Sequence, residues 1–150
     1  MQENIQDSKK SSEVLAEVYR NARLAIDAIS DVLPETEEGE LKREIISQHE
    51  EYEKISSEAL ILAEKLGADV KDPSLFKKAM MWTSIKMNTA GDNSVSHIAE
   101  MMIQGTVMGI TSLRSSLSDS EGVLDESVKG LLTRLIKLEE DFEEKLKKYL

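Results

Sequence analysis

The chain contains two histidines and no cysteine. Chemistry beyond that of carboxylates and hydroxyls must therefore start from His49 or His97. His97 is followed at i+3 by Glu100, and in a helix the two share one face. Imidazole plus carboxylate can begin a transition-metal site, iron for example, if neighbouring helices add ligands. Gln104 and Met108 continue that face. The competing reading is a polar cluster at the start of a buried helix, satisfied by hydrogen bonds, because a buried carboxylate and imidazole must be paired. Two ligands at a generic helical spacing favour that structural reading. His49, with Glu53 at i+4 and Glu50 and Glu51 beside it, is the second candidate pair. Charge runs usually face water, so a boundary histidine on an acidic face is the simpler expectation there. No Gly-rich phosphate loop, nucleophile elbow or triad is present, and without cysteine there is no thiol nucleophile or thiolate zinc site. The residues thus point to no catalytic group and no cofactor, with a metal at His97 and Glu100 as the alternative.

The stretch around that pair, Lys86 to Leu113, is unusual for this chain. From Met101 to Leu113 it carries no charge, although 32% of the residues are charged. It is expected to be the central, most buried helix. Gly105 and Gly109 stand four apart in it, flanked by Met101, Met102 and Met108. A ridge of small residues lets another helix backbone come close, either within one subunit or across a dimer seam. Apolar residues lie all round from Ile98 to Leu113, more than one bundle seam can bury. A homodimer or higher homo-oligomer is therefore the expected partner arrangement. Methionine suits core gaps and adaptable binding surfaces alike, with core filling the plainer role.

The elements that must position these residues are helices. Aromatics make up 4% and there are two prolines, a mixture that argues against sandwich or barrel. Residues 1–10 read as a flexible N-terminal tail, with Ser11 or Ser12 capping the first helix. Leu15, Val18, Ala22, Ala25, Ile29 and Val32 form its stripe, and Pro34 stops it. A second stripe runs Leu41, Ile45, Gln48, Tyr52, Ile55, Ala59, Leu62 and Leu66, with Gln48 its one strongly polar member and Gly67 the expected C-terminal cap. Asp72 and Pro73 read as cap and first residue of a helix to about Ala90, whose stripe is Phe76, Ala79 or Met80, Thr83, Met87 and Ala90. Gly91 to Ser94 should break the chain before a helix from Val95 to about Leu117. The last helix carries Leu124, Val128, Leu131, Leu135, Leu138, Phe142 and Tyr149. The expected fold over 11–150 is a single all-α domain: an antiparallel four-helix bundle, ferritin-like in connectivity, with an additional crossover helix over about 73–90.

Three pieces, DVLPE from Asp31, QHEEYEK from Gln48 and IKMNTAGDNSVSHIAEMMIQGTVMGI from Ile85, carry a resemblance over most of the chain from about Val14 onward. The chain resembles a family of small uncharacterised bacterial proteins placed near the ferritin-like helical bundles. The resemblance implies an all-helical fold and no particular activity. Di-iron members of the wider group supply Glu-x-x-His from two of their helices. Here Ile46 precedes His49 by three and Ser94 precedes His97 by three, so that motif is missing.

Charge narrows the partners. The formal net charge is −10, which repels phosphate backbones and anionic lipid, so neither nucleic acid nor membrane is expected. No uncharged run reaches the roughly 20 residues of a membrane span. The polar start MQENIQDSKKSS has no apolar signal core. A cytoplasmic, non-enzymatic protein acting first through self-association is the functional expectation.

Overall fold

The computed structural model describes residues 5–150. Five α-helices follow in order: α1 (Ile5–Val32), α2 (Glu40–Leu66), α3 (Leu75–Ala90), α4 (Val95–Asp119) and α5 (Glu126–Lys147), with a single 3-10 turn at Leu33–Glu35. There is no strand among the described residues, and no helix is long and apolar enough to cross a membrane. The protein is a helical bundle. α1 packs on α2, α4 packs on α5, α2 meets α5, and α1 also touches α3, α4 and α5.

The core follows the heptad stripes. Leu15, Val18, Ala22, Ile29 and Val32 of α1 are buried, as are Leu41, Ile45, Gln48, Tyr52, Ile55 and Ala59 of α2. Towards its C-terminus the α2 stripe slips by one residue, so that Ala63 is buried while Leu66 is exposed. Gly67 then caps α2 in the left-handed region at φ 66, and its N–H donates to the last carbonyls. α1 begins earlier than expected. Residues 5–10 of the anticipated tail are helical, and residues 1–4 lie outside the described residues. Ser11 is therefore not a cap. It is buried inside α1, and its Oγ accepts the Asp125 N–H at 2.9 Å, tying α1 to the start of α5.

The chain does break after Ala90. Ser94 caps α4 by accepting the His97 N–H, and Asp92 accepts the Ser94 N–H at 2.9 Å; hydrogen bonding from the Ser94 side chain and then from its N–H holds the Asp92 carboxyl below its usual value. Ser74, not Asp72, caps α3. Asp72 instead accepts the Tyr19 hydroxyl at 2.7 Å.

Two helices depart from their expected roles. α4 is not the most buried helix: Ile98, Ala99, Thr106 and Leu113 are its buried residues, against nine in α1. Its uncharged run is rich in Gly, Thr and Ser, and such residues sit in water at little cost. Its apolar residues are mostly half-buried, as Met101, Met102 and Ile103 are, or exposed, as Val107 and Met108 are. α3 is turned the other way from expectation. Ile85 and Thr89 are buried, while Phe76, Met80 and Met87 of the apolar stripe are exposed. Ion pairs accompany this orientation. Lys78 meets Asp27 at 3.7 Å and Lys86 pairs with Glu35. Asp27 of α1 and Glu35 of the following 3-10 turn are eight apart, as are Lys78 and Lys86 on α3, so one acidic ridge receives both lysines. Between them, burial and the neighbouring Asp27 raise the Asp31 pKa.

Candidate functional site

The four expected site residues are dispersed between two places. His97 sits at the α3–α4 corner, where its Nε2 lies 2.8 Å from the Asn88 carbonyl. As the N–H tautomer it donates there and ties the end of α3 to the first turn of α4. Glu100 is exposed. Its spacing puts it on the same helix face, but nothing brings a third ligand to the pair. His49 lies on α2, 3.9 Å from Glu53, which in turn is 3.9 Å from Arg23 of α1. Arg23 also faces Asp72 at 3.8 Å. Burial, with help from Asp72, raises the Tyr19 pKa. This is a chain of polar contacts stapling α1, α2 and the α2–α3 connection. Among the described residues, no group of three or more His, Cys, Asp or Glu is arranged to hold a metal ion. His97 is thus engaged by a backbone carbonyl, and His49 faces Glu53.

A third locus was not among the expected sites. Glu139 of α5 is 2% exposed, and its Oε1 has no hydrogen-bond partner. Burial pushes its pKa up from 4.5 to about 8, so the carboxyl is mainly protonated at neutral pH. Gln48 of α2 is also buried, with Nε2 unpartnered. Tyr52, one turn on, is held protonated by burial and by the nearby Glu139. Facing Glu139 from α4 is Gly109. A Cβ there would run into Glu139 Oε2, with Asn21 Nδ2 of α1 at 3.2 Å, and that Asn21 amide lies 3.5 Å from the Gly109 carbonyl. All four bundle helices thus send a polar group to one level of the core. The amides, the phenol and one neutral carboxyl can donate and accept hydrogen bonds. They offer no activated nucleophile.

Sequence reasoning set the α5 stripe on Leu138, one residue early. Glu139 falls four after Leu135 and three before Phe142, which is core spacing, and Gln48 already marked a polar core position on α2. Those two residues were the available signal.

The five residues expected at a helix crossing separate in the same way. Gly109 is a close-approach position, but the group it accommodates is the Glu139 side chain of its own chain, not another backbone. Gly105 is exposed and has open space around it. Met101 and Met102 are half-buried against the core, and Met108 is exposed. Met108 borders an open groove of about 950 Å³ between α1 and α4, also lined by Glu13, Glu17, Arg20 and Ser112. Its mixed charges and hydroxyls aim at no common point.

Several large apolar side chains of α3 are uncovered. Leu75, Phe76, Met80, Trp82 and Met87 are exposed by 50–84%, on a helix of 16 residues. Lys86 Nζ stands 5.7 Å from the Trp82 ring centroid and shields part of it. Comparison with family models, with characterised proteins and with solved structures finds no match to this chain.

Proposed function

We propose that this chain is a non-enzymatic, cytoplasmic helical-bundle protein that acts through self-association. The observation that carries this reading is the apolar surface of α3. Phe76, Met80 and Met87 share one face of this short helix and stand in water, and an uncovered apolar face of that kind marks an interaction site. The polar groups in the core favour a non-enzymatic role, because they are sealed from substrate and the histidines are engaged elsewhere.

The reading includes an antiparallel bundle of ferritin-like connectivity, with α3 as the helical crossover. The register of cross-helix contacts supports it. Arg134 meets Glu58 at 2.7 Å, while Tyr149 lies near Glu44 and Glu40, so residue numbers rise on α5 as they fall on α2. On α1 and α4, Asn21 meets Gly109, and Lys10 and Glu13 share a groove with Ser115 and Ser116. Along α1 and α3 numbers rise together, through Lys78–Asp27 and Lys86–Glu35. Sedimentation over a micromolar concentration series tests the function: mass should rise with concentration, and a monomer throughout would end the self-association reading.

A further inference from the structure

We propose that the middle of α4 is a gate over the buried Glu139: when that carboxyl loses its proton, α4 swings off α1 at the Asn21–Gly109 contact and water enters from the groove between the two helices. The geometry begins with the wall. Glu139 is 2% exposed, and its Oε1 has no hydrogen-bond partner. Gly109 covers it on the α4 side, where a Cβ would strike Oε2, so backbone alone closes that side. The cover is thinly held. Between Ala99 and Leu113, Thr106 is the one buried residue of α4. The link from α1 at this level is the Asn21 amide, 3.5 Å from the Gly109 carbonyl, which is the outer limit of a hydrogen bond.

Water stands on the other side. The open groove of about 950 Å³ between α1 and α4 reaches Glu17 and Arg20 on α1 and Val107 and Met108 on α4, close to Asn21 and Gly109 in sequence. Parting the Asn21–Gly109 contact joins that groove to Glu139. α4 keeps its hold on α5 meanwhile, because α5 is its main packing partner and Arg114 meets Glu140 at 2.7 Å.

Ionisation supplies the drive. A carboxylate with no donor or cation beside it cannot stay dry. α2 presents Tyr52, whose phenol stays neutral beside Glu139, and the uncharged Gln48; α1 presents the Asn21 amide and α4 only Gly109. The charged side chains nearby in sequence are engaged elsewhere: Arg20 with Glu17, Arg23 with Glu53 and Asp72, His49 with Glu53, Arg114 with Glu140 and Glu143 with Lys147. Burial alone acts on the Glu139 proton and lifts its pKa from 4.5 to about 8. The closed form therefore holds a proton that the open form releases. Between those two values the opening equilibrium rises about tenfold per pH unit, and above the higher one it levels off.

Amide hydrogen exchange of the full chain, corrected for the pH dependence of exchange itself, tests the gate. Protection of the α4 amides around 105–112 should fall about tenfold per pH unit from about pH 5 to about pH 8. Low urea should barely change that opening, and α2 amides over 45–55 should stay better protected at every pH. Glu139→Gln, of the same shape, should make α4 protection independent of pH. Asn21→Ala should lower α4 protection severalfold and leave its pH slope unchanged. If α4 and α2 amides exchange together, at one rate and with one urea dependence, Glu139 meets water only when the whole chain unfolds, and the gate is overturned. A pH slope that persists in Glu139→Gln would equally overturn it, as would α4 protection that Asn21→Ala leaves untouched.

Discussion

Replacing Glu139 by Gln should remove a pH dependence that the buried carboxyl imposes on the fold. The folded pKa stands near about 8 against 4.5 for the free group. Between those values the native state holds a proton that the unfolded state has released. Stability is therefore greatest below about 4.5 and falls as pH rises through the folded value. Integrating from about pH 5 to about pH 8, the wild type loses on the order of 3 kcal/mol to this one group. Glu139→Gln has the same shape and no proton to gain, so it escapes that loss. A fixed cost of burying the amide would shift the variant's whole curve without changing its slope. Urea unfolding of both proteins across that pH range measures the difference directly, because every other titrating group is common to both. The Gln variant should gain on the wild type by about 3 kcal/mol from the acid to the alkaline end. Parallel curves would refute the reasoning, and would mean that Glu139 reaches water or a partner that stabilises its charge.

Two glycines four residues apart should respond in opposite directions. Gly109→Ala puts a Cβ against the Glu139 carboxyl and should cost about 1–3 kcal/mol, as overpacking does; adding Glu139→Ala should recover part of it, which a double-mutant cycle in urea would read. Gly105→Ala meets open space and should raise stability by up to about 1 kcal/mol through helix propensity. His97→Ala loses the bond to Asn88 and should cost about 1 kcal/mol, and titration with iron(II) or zinc should shift the melting temperature of neither the wild type nor the variant. Because two ion pairs help hold α3 beside α1, high salt should loosen it, and limited proteolysis should then cut faster in the connections at 67–74 and 91–94.

The sequence alone determined what depends on neighbours along the chain. Helix periodicity marked the buried stripes of α1 and α2, Pro34 and Gly67 marked their ends, and Gly91 to Ser94 marked the break before α4, because caps and stripes are written within a turn or two of backbone. The spacing of Gly109 flagged a position where a side chain is unwelcome, and the i+3 step of His97 and Glu100 put them on one face. Tertiary structure decided everything that depends on which face meets which neighbour. Gly105 and Gly109 are alike in sequence, yet one faces open space and the other Glu139. His97 found a backbone carbonyl because α3 ends beside α4. The apolar stripe of α3 points to water while Ile85 and Thr89 turn inward and Lys78 and Lys86 pair with Asp27 and Glu35. Periodicity says that a helix has an apolar side; it does not say that the bundle has room for it. With α1, α2, α4 and α5 closing most of the core, the fifth helix buries only Ile85 and Thr89, and its apolar stripe faces outward.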